Sequence, residues 1–162
     1  MKKKGALKAS IPFALIVSLA SPAMSQPASN PTPLSVALPA SVSGSVWSID
    51  MVGLKGEVLG TVTLELSDES ARTCMAGAWK KARIIQSSFQ SFSKQFEAKD
   101  YFPTYEATGE TLTIQLNSPN LCDAYLFLSG KFTEREGKGD YFAEGLGGVN
   151  PLGTFTAKRR QR

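Results

Sequence analysis

The stretch GTVTLELS at positions 60–67 sets Val62, Leu64 and Leu66 on one side of an extended chain and Thr61, Thr63 and Glu65 on the other. TLTIQLNS at 111–118 repeats the pattern, with Leu112, Ile114 and Leu116 opposing Thr111, Thr113 and Gln115. A period of two marks a β-strand with one dry face and one wet face. Such a strand is stable only when other dry faces cover it, so these two segments call for a layered or closed all-β domain. Val46 to Met51 align Trp47, Ile49 and Met51 in the same way. Asp123 to Thr133 align Ala124, Leu126, Leu128, Gly130 and Phe132, with Tyr125 and Phe127 opposite. Gly139 to Glu144 and Leu152 to Lys158 read as the last two strands. Cys74 to Ile85 is expected to form another of less regular pattern, and Tyr101 to Thr108 an eighth, confined by Pro103 to an edge or a bulge.

One segment departs from this rhythm. Phe89, Phe92 and Phe96 recur at spacings of three and four, and Ser87 with Gln90 resembles a capping box, which predicts a short helix from about Ser88 to Ala98. Seven or eight short antiparallel strands leave exposed edges unless the sheet closes. The expected fold is therefore mainly β, an antiparallel meander barrel with one short helix, and a two-sheet sandwich is the alternative.

The chain ahead of this domain has a different character. Lys2, Lys3, Lys4 and Lys8 precede the apolar run IPFALIVSLA at 11–20, which Pro12 interrupts and which falls well short of the ~20 residues a membrane span needs. Residues 1–25 are thus expected to be a secretory signal peptide, with the small residues Ala23 and Ser25 ahead of a cut before Gln26. No cysteine lies near that boundary to receive a lipid. Residues 26–43 carry Pro27, Pro31, Pro33 and Pro39 among Ser, Ala, Asn and Thr without a charge, the composition of a flexible arm. The barrel domain then covers 44–158, and 159–162 form a basic tail. The expected location is the periplasm or the medium of a bacterium.

Export also changes the charge balance. Losing the four leader lysines leaves 14 Lys+Arg against 14 Asp+Glu, and Lys158, Arg159, Arg160 and Arg162 hold four of those cations, so the body of the domain is acidic. The whole-chain pI of about 9.1 therefore does not mark a nucleic-acid-binding body.

Cys74 and Cys122 are the two cysteines, and in an exported domain an even pair most simply forms one disulfide. With no histidine in the chain, two thiolates would leave a zinc site short of ligands. The same absence removes Ser-His-Asp and Cys-His nucleophiles and histidine general bases. No nucleophile elbow, phosphate-binding loop or dinucleotide fingerprint occurs either. Glu134, Glu136, Asp140 and Glu144 could pair for glycosidase-type acid/base work, but Lys131, Arg135 and Lys138 are interleaved with them. A charged hairpin, with Gly137 and Gly139 serving its turn, is the simpler account. The chain is expected to be no enzyme and to take no metal or cofactor.

The two ends of the domain, LPASVSGSVWSI with Gly44 and Trp47 and GTFTAKR with Arg159, resemble small barrels of the calycin type. Both the lipocalins and the bacterial periplasmic inhibitors of secreted metalloproteases are of this kind. The lipocalin resemblance implies a first-strand tryptophan covered by a last-strand arginine, here Trp47 and Arg159, although Gly44-x-x-Trp47 is one residue longer than that family's spacing. The inhibitor resemblance implies an N-terminal arm that enters a protease cleft while a disulfide-linked barrel docks on its rim.

Together these features lead us to expect a non-catalytic extracytoplasmic protein that acts through a protein interface, in its sharpest form an inhibitor of a secreted or envelope enzyme. Leu34, Val36 and Leu38 are the apolar anchors available on the arm. Leu146, Val149 and Leu152 belong to the nearly apolar stretch Gly145 to Gly153 between the last two strands, read as a loop that could serve as a docking lip. A lipocalin-like carrier of a small apolar ligand is the alternative, and an acid-pair enzyme is a third class. The supply of Trp47, Trp79, Tyr101, Phe102, Tyr105, Tyr125, Phe127 and Tyr141 exceeds what one small core obviously needs, and those left at a barrel mouth or on the surface suit either an apolar ligand or a protein partner.

Overall fold

A computed structural model describes residues 42–89 and 101–161. The expected signal peptide, nearly all of the arm and the expected helix beyond Phe89 lie outside the described residues. Ser88 and Phe89 themselves are not helical.

The domain is an antiparallel barrel of eight strands: β1 (Val46–Gly53), β2 (Val58–Ser70), β3 (Lys80–Ser87), β4 (Thr104–Thr108), β5 (Thr111–Gln115), β6 (Ala124–Phe132), β7 (Glu136–Gly145) and β8 (Gly148–Arg160). Each strand pairs with the next, and β8 returns to β1 to close the sheet. Closure runs over eight register pairs, from Val46 opposite Arg160 to Gly53 opposite Gly153, and no free edge remains between first and last strands. The weakest seam is β3 to β4, where the pairs are Lys80 with Tyr105 and Lys81 with Thr104. Pro103 sits one residue ahead of β4, and its carbonyl accepts from the Ala82 N–H, so its missing donor costs no ladder bond.

Period-two alternation decides what lies inside. Trp47, Ile49, Met51, Val62, Leu64, Leu66, Leu112, Ile114, Leu116, Leu128, Phe132 and Phe155 are all buried in one core. Lys131, Lys138, Asp140, Thr154, Thr156 and Lys158 are exposed on the wall. A dry interior and a polar wall reverse the pattern of a barrel that faces lipid. Among the described residues no helix is long and apolar enough to cross a membrane.

Trp47 anchors one end of the core. Its indole N–H donates to the Ser45 hydroxyl at 2.7 Å, and its ring meets Phe132 edge-on at 5.0 Å. The other end is plugged by Phe89, whose ring lies edge-on to Tyr141 at 6.0 Å. Burial of Tyr141 pushes its phenol up to about 12.

Three expectations are corrected. First, Cys74 to Ile85 is a strand only from Lys80. The segment before it folds back on itself: the Thr73 hydroxyl accepts from the Met75 N–H, Gly77 adopts φ +127°, and the Trp79 indole donates to the Ala76 carbonyl. Second, Gly137 and Gly139 do not form the turn after Phe132, which is built by Thr133 with Glu136. Both glycines are strand residues facing inward. A Cβ on Gly139 would sit 2.2 Å from the Ser129 carbonyl oxygen, and one on Gly137 would sit 2.5 Å from the Phe132 ring. They are small because large aromatic neighbours and a close strand crossing fill the space. Third, β8 extends through Arg160, so Arg159 and Arg160 are strand residues and not tail.

Candidate functional site

In an up-and-down barrel, alternate connections gather at the same end. The β1–β2 hairpin, the β5–β6 loop and the β7–β8 hairpin therefore share one end, and among the described residues that end carries most of the large apolar side chains left in water. Leu54 and Val58 flank the first hairpin, Leu121 lies in the loop, and Leu146 and Val149 belong to the last hairpin. Leu146 is 91% exposed, Val58 81% and Val149 63%. Among the described residues, Ile85 on the wall is the remaining large hydrophobic of this kind.

The last hairpin is tighter than a nine-residue loop. Gly145 pairs with Gly148, which leaves Leu146 and Gly147 as the turn, and Gly148, the residue after it, takes the positive φ (+94°), as the glycine that follows a turn at a hairpin bulge does. Val149 is thus held on a strand. Leu152 differs from its expected role: it packs against the core, beside the bulge where Tyr141 and Phe142 shift register against Gly153 and Pro151. Leu34, Val36 and Leu38 lie outside the described residues. Between the β5–β6 loop and this hairpin is a shallow depression of about 470 Å³ lined by Asn117, Leu121, Tyr125, Leu126, Ala143 and Asn150 among others. Asn117 stiffens it by accepting from the Leu126 N–H at 2.9 Å and donating to the Ala124 carbonyl.

Below that rim, the outer wall bears an aromatic group that the sequence pattern only hinted at. Phe127 stacks on Tyr125 at 5.6 Å, tilts against Phe142 at 5.5 Å, and faces Trp79 at 6.4 Å. Trp79 arrives there because the β2–β3 connection crosses the outside of β4, where the Ala78 N–H donates to the Glu106 carboxylate at 2.8 Å. The Cys74–Cys122 disulfide, with Cα atoms 5.5 Å apart, ties this connection to the β5–β6 loop. It therefore braces one side of the apolar end directly.

Trp47 and Arg159 are register partners at the opposite end, on neighbouring strands. The guanidinium does not cover the indole: Arg159 Nη1 reaches the Glu134 carbonyl at 3.5 Å, while the Trp47 ring is taken by Phe132. Among the described residues, the cation–π contact is that of Lys81 over Phe102, at 4.9 Å. The wall near it carries the pairs Lys80–Asp68, Lys81–Glu69 and Arg83–Glu65. Hydrogen bonds from Ser43 and Lys80 hold the Asp68 carboxyl below its usual range, and Asp68 in turn raises Lys80. The acids Glu134, Glu136, Asp140 and Glu144 are spread along the turn and the outer wall of β7. Among the described residues no three His, Cys, Asp or Glu side chains gather in a way that could hold a metal ion.

No protein-family model matches this chain, and neither a curated protein nor a solved structure is significantly similar to it. What it shares with calycin-type barrels is the closed antiparallel architecture.

Proposed function

We propose that this is a non-catalytic extracytoplasmic binding protein that engages a protein partner through the apolar end of its barrel, a secreted or envelope enzyme being the partner class the inhibitor reading calls for. The observation that carries this is the clustering of Leu54, Val58, Leu121, Leu146 and Val149 on three connections at one end. Apolar side chains held in water on stiff hairpins are typical of surfaces that become covered. The filled interior supports the same reading over a carrier. A carrier needs a cavity of at least ~300 Å³, whereas here Trp47, Tyr105, Phe132, Phe155 and eight large aliphatic side chains fill the barrel. The disulfide supports an oxidising compartment.

The test begins with capture from envelope extract by the disulfide-intact protein, identification of what is retained, and reconstitution with that partner in purified form. Leu146→Asp with Val149→Asp should weaken the reconstituted complex about thirtyfold or more, the loss expected when hot-spot residues are removed. Unchanged affinity with a folded variant would refute the placement of the interface. A form beginning at Ser41 measures the contribution of Leu34, Val36 and Leu38 in the same assay.

A further inference from the structure

The end of the barrel opposite the apolar hairpins has a distinct chemistry. Arg135 from the β6–β7 turn and Arg159 and Arg160 from the end of β8 line a depression of about 590 Å³, together with Gly44, Ser45, Val46 and Gln161. Arg159 and Arg160 point to alternate faces of their strand, and both still border the depression because it lies where the barrel wall ends. Two of the guanidiniums are steered by uncharged groups: Arg159 Nη1 by the Glu134 carbonyl and Arg160 Nη2 by the Ser48 hydroxyl at 3.4 Å. Among the described residues, the ion pairs all lie on the β2–β3 side, and none involves these three arginines. The neighbouring wall adds to the field. Lys131 and Lys138 face each other directly across β6 and β7, an arrangement of like charges that destabilises a sheet. Glu136 stands opposite Lys158 and offsets only part of this.

We propose that Arg135, Arg159 and Arg160 form a binding site for a phosphoryl group, either on a soluble phosphate ester or on a phospholipid headgroup. Each guanidinium presents a planar fork of donors. A carboxylate has two oxygens and satisfies one fork, whereas the several oxygens of a phosphoryl group can accept from more than one at once. Three guanidiniums around one depression, none of them ion-paired among the described residues, therefore suit the tetrahedral anion better. This site is independent of the protein interface proposed above, since it lies at the other end and uses none of its residues.

The experiment uses the disulfide-intact protein and two probes. Glycerol 3-phosphate is titrated while the arginine Nε–Hε resonances are followed by NMR. In parallel, sedimentation measures binding to vesicles of phosphatidylcholine with phosphatidylglycerol, against vesicles of phosphatidylcholine alone. Saturable shifts with glycerol 3-phosphate identify a soluble ligand; binding confined to the phosphatidylglycerol vesicles identifies a headgroup; either result upholds the site. Replacing all three arginines by lysine keeps the charge and removes the forks, and should weaken whichever binding is seen by about tenfold or more, since hydrogen bonds to charged groups are of that strength. Lys131→Gln with Lys138→Gln should change it by less than about threefold at 0.15 M salt, where exposed charges are screened. Binding that survives the lysine replacement intact would show general attraction to a basic surface and overturn the proposal. So would a failure of both probes to bind.

Discussion

Replacing Cys74 and Cys122 by serine isolates the contribution of the cross-link, because both cysteines are exposed and make little packing of their own. The bridge spans a sequence separation of 48. Loop-closure entropy for a loop of that length is about 14 cal/mol/K, or about 4 kcal/mol at 25 °C. A domain of this size has a net stability of about 5 to 15 kcal/mol, so the variant should remain folded with much of its margin gone. The melting temperature should fall by about 10 to 20 °C. Urea unfolding followed by tryptophan fluorescence measures the loss, and the m-value should rise because the unlinked chain exposes more surface when unfolded. The two tryptophans report on different regions: Trp47 lies in the core, and Trp79 belongs to the connection that the disulfide ties down. A Trp79→Phe background therefore gives the global transition. A loss below about 1 kcal/mol in that background would refute the loop-closure reasoning and assign the stability to the barrel alone.

Other outcomes follow from the packing and the ionisable groups. Gly139→Ala should cost about 1 to 3 kcal/mol, since its Cβ would lie 2.2 Å from the Ser129 carbonyl oxygen, whereas Gly147→Ala, with open space around it, should fall within about 0.5 kcal/mol of the parent in urea melts. The Tyr141 phenol sits at about 12 in the folded protein against about 10 when unfolded, so the unfolded chain releases that proton first and stability should decline as pH rises from about 10 toward 12. Tyr141→Phe should flatten that alkaline decline, and an equally steep curve would show that another group controls it. Asp68 is held below its unfolded range, so its contribution is present at neutral pH and is lost as pH falls through the acidic range. Asp68→Asn should make the acid limb of the stability profile shallower.

The strands with clean alternation were readable from residue order because one face had to be dry: Val62, Leu64 and Leu66 could be placed inside without knowing their neighbours. Closure into one barrel was readable only as an answer to the edge problem. Its register, with Trp47 opposite Arg159, depends on strand tilt that no local pattern encodes. Local patterns failed where tertiary context set the backbone. Gly137 and Gly139 resemble turn residues, yet they lie in a strand because Phe132 and the strand crossing need their space. Gly148 to Pro151 resemble a loop, yet β8 admits Pro151 beside a bulge. The candidate site was half legible for the same reason. Leu146 and Val149 were conspicuous in a glycine-rich stretch, while Leu54, Val58 and Leu121 became part of one surface only when the up-and-down topology brought their connections to one end. Arg135 was hidden in a run of charges of alternating sign, and only the fold places it beside Arg159 and Arg160.

Placing a photo-activatable amino acid at position 146, and separately at Asp50 on the polar wall, tests the proposed interface most directly in living cells. Adducts with one protein should form from position 146 and not from position 50, and they should disappear when unlabelled protein competes. Equal labelling from both positions, or no protein adduct from position 146 in a folded and correctly exported variant, would contradict a partner-binding role for this end of the barrel.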